Sequence, residues 1–116
     1  MKGGPRERLR SERAAAASRL AGLERELGSV VESTSQANTD DEHDPEGATI
    51  AYERQHVAAL ISQAKDRLTE IDAAIGRLEA GSYGRCAHCG EPIAPERLAV
   101  RPSASTCINC AESNRR

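Results

Sequence analysis

A chain of 116 residues with a formal net charge of −2 is sized for one domain, or for one elongated element carrying a small module. It has no Trp, no Phe and only Tyr52 and Tyr83, so it lacks the stacking platforms of single-strand binders, and its charge gives no general attraction to nucleic acid. No stretch approaches the ~20 apolar residues of a membrane span, and no signal-peptide pattern is present; together with thiols at metal-ligand spacing this places the chain in a reducing cytoplasm.

Residues 1–5 read as a loose start. From about Arg6 to Glu32 a stripe runs through Leu9, Arg13, Ala16, Leu20, Leu23, Leu27 and Val30. Its steps alternate four and three, and every position but Arg13 is apolar, which predicts a helix with a coiled-coil seam. Ser33 to His43 is polar and turn-forming, a loop by composition. A second stripe follows through Ile50, Arg54, Val57, Ile61, Ala64, Leu68, Ile71, Ile75 and Leu78, apolar everywhere except Arg54. Asp44-Pro45 marks its start as an N-cap with proline at the first helical position. Gly81-Ser82-Tyr83-Gly84 marks its stop.

Neither stripe can be buried by its own helix, so each is the other's partner surface. The expected fold is mainly α: a long antiparallel coiled-coil hairpin over 1–81, with an acidic tip at about 33–48 and a small C-terminal module over 82–116. Two chains could also share such a seam, but the short loop favours pairing within one chain and hence a monomer. The tip holds Glu32, Asp40, Asp41, Glu42, Asp44 and Glu46 with no Lys or Arg between Val31 and Thr49. Such a run is either a solvated turn that favours a helix N-terminus or a working surface.

Two Cys-x-x-Cys pairs, Cys86/Cys89 and Cys107/Cys110, are separated by seventeen residues, the spacing of a four-thiolate zinc site. Each pair supplies two corners of a tetrahedron with bonds of ~2.3 Å, and a shell filled by protein makes the one ion structural. Gly90 follows the first pair, where a tight knuckle needs a free backbone. Two disulfides, or His88 in place of one cysteine, are the competing arrangements. With only Ile93, Leu98, Val100 and Ile108 as sizeable apolar residues, the module depends on metal, a contribution of ~10–16 kcal/mol in small zinc domains.

The run from Leu78 to Ile93, with Gly81-Ser82-Tyr83-Gly84 and Cys86-Ala87-His88-Cys89-Gly90, then Arg97-Leu98-Ala99-Val100-Arg101-Pro102 and Cys107-Ile108-Asn109-Cys110, resembles the zinc finger of the DksA/TraR family. The upstream hairpin with its acidic tip extends the resemblance more loosely. The resemblance implies a bacterial transcription regulator that binds RNA polymerase rather than a promoter sequence, without sequence-specific DNA binding. It implies that the coiled coil enters the secondary channel, where an Asp-x-x-Asp-x-Ala tip acts near the catalytic centre. Here Glu46 and Ala48 fall on the second acidic position and the alanine, while His43 takes the first and Asp44 follows it. Asp41 and Asp44 give the alternative spacing. The tip residues are therefore Asp41, Asp44, Glu46 and Ala48. The resemblance also implies a contact between Arg101 and the alarmone ppGpp, although Glu70 and Ala111 stand where the family places two further bases.

No combination of Ser, His, Cys and carboxylates suggests an intrinsic active site, so the chain reads as a non-enzymatic regulator. Two other functions fit the same pieces. A transcript-cleavage-type factor would use two tip carboxylates to hold a second metal at the polymerase centre. A zinc-finger adaptor would use the module to bind some other protein.

Overall fold

The computed structural model describes residues 4–37 and 45–113. Four helices follow in order: α1 (Pro5–Ala37), α2 (Pro45–Ala80), α3 (Pro95–Val100) and α4 (Ile108–Ser113). Among the described residues there is no strand, only an isolated antiparallel bridge between Arg85 and Pro92. The mainly α architecture with a C-terminal cysteine module is thus the one expected. α1 continues through Ala37, into the polar run read as loop. Ser and Thr are middling helix formers and Gln and Ala are good ones, so nothing in residues 33–37 breaks the helix.

The fold divides into two compact units, and both long helices contribute to each. The first contains Met1–Ala14 and Leu68–Arg116; the second contains Ala15–Arg67. In the second unit, Leu23 of α1 is buried with Val57, Ile61 and Ala64 of α2, flanked by Leu20, Leu27 and Leu60. The pairing is antiparallel: Leu27 and Val31 share a groove with Ala51 and Ala58, whereas Ala16 and Arg19 lie beside Gln63 and Arg67. These contacts join the two apolar stripes. Each buried leucine or isoleucine stabilises the pair by ~1.5–3 kcal/mol relative to exposure.

In the first unit, Leu9, Ile71 and Ala74 are wholly buried. Ala74 lies outside the predicted seam. The buried face of α2 is wider there than a two-position stripe, and a small side chain fits the added position. Arg13, the polar member of the α1 stripe, turns outward and forks onto Asp72 at 2.5 and 3.3 Å. That ion pair holds the guanidinium's proton more tightly than in water, through hydrogen bonding first and charge second.

Candidate metal centre

The module begins where α2 ends. Gly81 takes φ +83°, and the Ser82 and Gly81 amides donate to Arg77 and Leu78 carbonyls at 2.9 and 3.3 Å. This pair of bonds closes the helix with a left-handed residue that glycine adopts without strain. The chain then folds back on itself: Ile93 N–H donates to Gly84 O at 2.7 Å, and Cys86 N–H to Glu91 O at 2.8 Å. Between these bonds lies the first knuckle. Gly90, at φ +81°, donates to Cys86 O at 2.9 Å, and Cys89 N–H points at Cys86 Sγ at 3.4 Å. The second pair sits at the start of α4, where Ala111 N–H bonds to Cys107 O at 2.9 Å.

The segment joining the two halves, 102–106, is held by its carbonyls. Tyr83 Oη donates to Pro102 O at 2.7 Å, and Arg77 reaches Ser103 O and Ala104 O at 3.4 and 3.3 Å. Ala87 N–H donates to Ser105 O at 2.7 Å and Arg97 Nε to Thr106 O at 2.8 Å. Arg8 of α1 donates to Ala99 O. Guanidinium and phenol groups therefore do much of the ordering that a larger apolar core would otherwise do. Under them lies a small core of Cys86, Ile93 and Cys110, with Leu98 and Cys107 against it.

The four sulfurs converge. Cys86, Cys89, Cys107 and Cys110 place every Sγ within 4.8 Å of the others, with 3.9 Å between Cys89 and Cys107. A zinc tetrahedron with bonds of ~2.3 Å has edges of ~3.8 Å, so the sulfur set has the right size. All four cysteines are free thiols rather than disulfides, and His88 is exposed, outside the cluster. Burial raises the Cys86 thiol, but hydrogen bonds from the backbone of Cys107, Cys89 and His88 outweigh it and lower the pKa to about 5. Burial and the neighbouring sulfurs push Cys110 up to about 12. Four thiolates gathered this closely need a dication, whose binding releases the thiol protons.

The remaining candidate residues are placed as follows. Asp41 and Asp44 lie outside the described residues; Glu46 is in the first turn of α2, and Ala48 is exposed on it. Arg101, at the C-cap of α3, donates through two nitrogens to one Glu70 carboxylate oxygen of α2. The residue assigned to a phosphate thus has an internal carboxylate partner. Sequence reasoning gave no role to Arg8, Arg77 or Arg97, because nothing in a sequence distinguishes an arginine that collects carbonyls from one that is solvated. Tyr83 stood out only through its glycine neighbours.

Comparison with known proteins agrees with this geometry. The prokaryotic dksA/traR C4-type zinc finger family matches residues 81–116. The four cysteines are therefore a C4 zinc-finger set positioned for one zinc ion. The RNA polymerase-binding transcription factor DksA of Caulobacter vibrioides is 40% identical over 62 residues, covering 50% of this chain and 44% of that protein. The uncharacterized protein YteA of Bacillus subtilis is 36% identical over 66 residues, 57% of this chain and 28% of that protein. The chain spans less than half the length of these curated relatives. The solved structure of transcription factor DksA2 from Pseudomonas aeruginosa matches with a TM-score of 0.78 and 33% identity, covering 96% of this chain and 80% of that one.

Proposed function

The chain belongs to the DksA/TraR family, and from that premise we propose that it is a non-enzymatic regulator of bacterial transcription that binds RNA polymerase directly. The observation that carries the reading is the likeness to DksA2, which takes in both long helices as well as the zinc module, over 96% of this chain. The α1–α2 pair enters the secondary channel of the polymerase in the cytoplasm, with the segment between the helices leading. Zinc fixes the fold of the C-terminal module and takes no part in chemistry, since its four ligand positions are filled by Cys86, Cys89, Cys107 and Cys110.

The acidic segment with Asp41, Asp44, Glu46 and Ala48 acts close to the polymerase magnesium. Carboxylates at that distance change metal coordination or the mobility of nearby elements, and so the lifetime of the open complex. A contact of Arg101 with ppGpp would have to displace Glu70. Recognition of a polyphosphate draws on several cations together, and Glu70 adds repulsion. The chain regulates transcription without ppGpp in this proposal. Glu70→Gln is the variant that would uncover a latent response.

Direct binding to core RNA polymerase, followed by a density map of the complex, tests the proposal. The expected map has the α1–α2 connection inside the secondary channel. Density elsewhere on the enzyme, or no binding at micromolar concentration, rejects it.

A further inference from the structure

The zinc module is poor in apolar residues, yet it leaves two of its largest outside the core. Of Ile93, Leu98, Val100 and Ile108, only Ile93 is buried, and Leu98 packs against it. Val100 is 87% exposed and Ile108 52% exposed. They come from different helices, α3 and α4, and line one open groove of about 670 Å³ with Pro92, Ala94 and Cys107. Apolar side chains that converge on a groove, rather than lie scattered, mark a surface that a partner covers. Three charged side chains line it too. Arg97 is held by Thr106 O and Arg101 by Glu70. Glu96 is exposed and makes no hydrogen bond or ion pair among the described residues. Three and four residues further along α3 stand Ala99 and Val100, so no cation answers it there.

We infer that this groove docks a segment of RNA polymerase that lays an apolar side chain onto Val100 and Ile108 and brings a lysine or arginine to Glu96. The inference deepens the polymerase-binding reading above and rests on it. Area decides against a second copy. Two such side chains expose about 200 Å² together, against ~800 Å² for each partner of a stable complex. A groove of that size adds to a partner already held elsewhere, and in that reading the α1–α2 pair holds the polymerase. Charge decides the chemistry. Both arginines are engaged within the chain while Glu96 is open, and Cys107 on the groove wall belongs to a cluster whose four thiolates around one dication are net negative. That field repels phosphates and attracts a basic side chain, so a protein segment is favoured over nucleic acid.

The test uses the full zinc-loaded chain and core polymerase free of nucleic acid. Val100→Ser removes apolar surface that already faces solvent, so zinc content and melting temperature should match the unsubstituted chain. Its affinity for core polymerase should nevertheless fall about fivefold, and combined with Ile108→Ser about tenfold or more. The single variant carries the test should the double one lose zinc. Glu96→Gln should weaken binding about fivefold at low salt and less at high salt, as a pair of opposite charges at a rim does. Affinity of Val100→Ser or of Glu96→Gln within about twofold of the unsubstituted chain overturns the inference while leaving polymerase binding intact. Failure of the unsubstituted chain to bind core polymerase removes both. A defect seen only when nucleic acid is present gives the groove to a phosphate and overturns the inference. So does a concentration-dependent dimer that Val100→Ser abolishes, which gives the groove to a second copy.

Discussion

Cys89 is the exposed member of a cluster whose other sulfurs are wholly or partly covered. Its replacement by serine removes one thiolate while adding no bulk, so the effect is on metal alone. Cys89→Ser should lose stoichiometric zinc and the order of the module, while much of the helical signal of α1 and α2 persists. Metal analysis with far-ultraviolet circular dichroism checks this. Zinc retained at one per chain would contradict the four-thiolate site. Tyr83→Phe is a finer test at the same scale. It deletes the donor to Pro102 O and leaves the ring in place, so it should cost ~1 kcal/mol of module stability. The cysteine spacing exposed the metal ligands in the sequence, because a tetrahedral shell restricts both residue type and interval. The carbonyl-binding roles of Arg77 and Arg97 were not legible, because they depend on where a loop distant in sequence returns.

At the scale of elements, the two stripes account for both long helices and for their antiparallel pairing. Leu23, Val57, Ile61 and Ala64 are buried as their heptad positions require. Ile61→Asp puts a charge into that cluster and should cost several kcal/mol, measured by chemical denaturation of the zinc-loaded chain. A change under ~1 kcal/mol would mean that Ile61 does not sit in a seam. Gly81→Ala addresses the helix stop. The added methyl meets open space, so only the φ of +83° is at issue, and the expected cost is ~1 kcal/mol. Periodicity located the helices but misjudged the end of α1, since polar composition reports solvent exposure rather than the absence of helix. It also counted Arg13 and Arg54 alike, although one is met by Asp72 and the other lines an open groove with Leu27, Val31 and Gln55.

For the whole molecule, seams completed within one chain predict a monomer, and light scattering at micromolar concentration should report one. The regulatory proposal separates affinity from effect: binding area comes from the helices and the module, and the effect comes from the acidic segment. Asp44→Asn combined with Glu46→Gln removes two carboxylates and keeps a residue able to cap α2. The double variant should bind core polymerase within about tenfold of the unsubstituted chain, a difference of ~1.4 kcal/mol or less. The most direct measurement is the lifetime of a promoter open complex with each protein at saturation. The unsubstituted chain should change that lifetime and the double variant should lose most of the change. An undiminished effect from the double variant would contradict the account and return the acidic segment to a solvated turn.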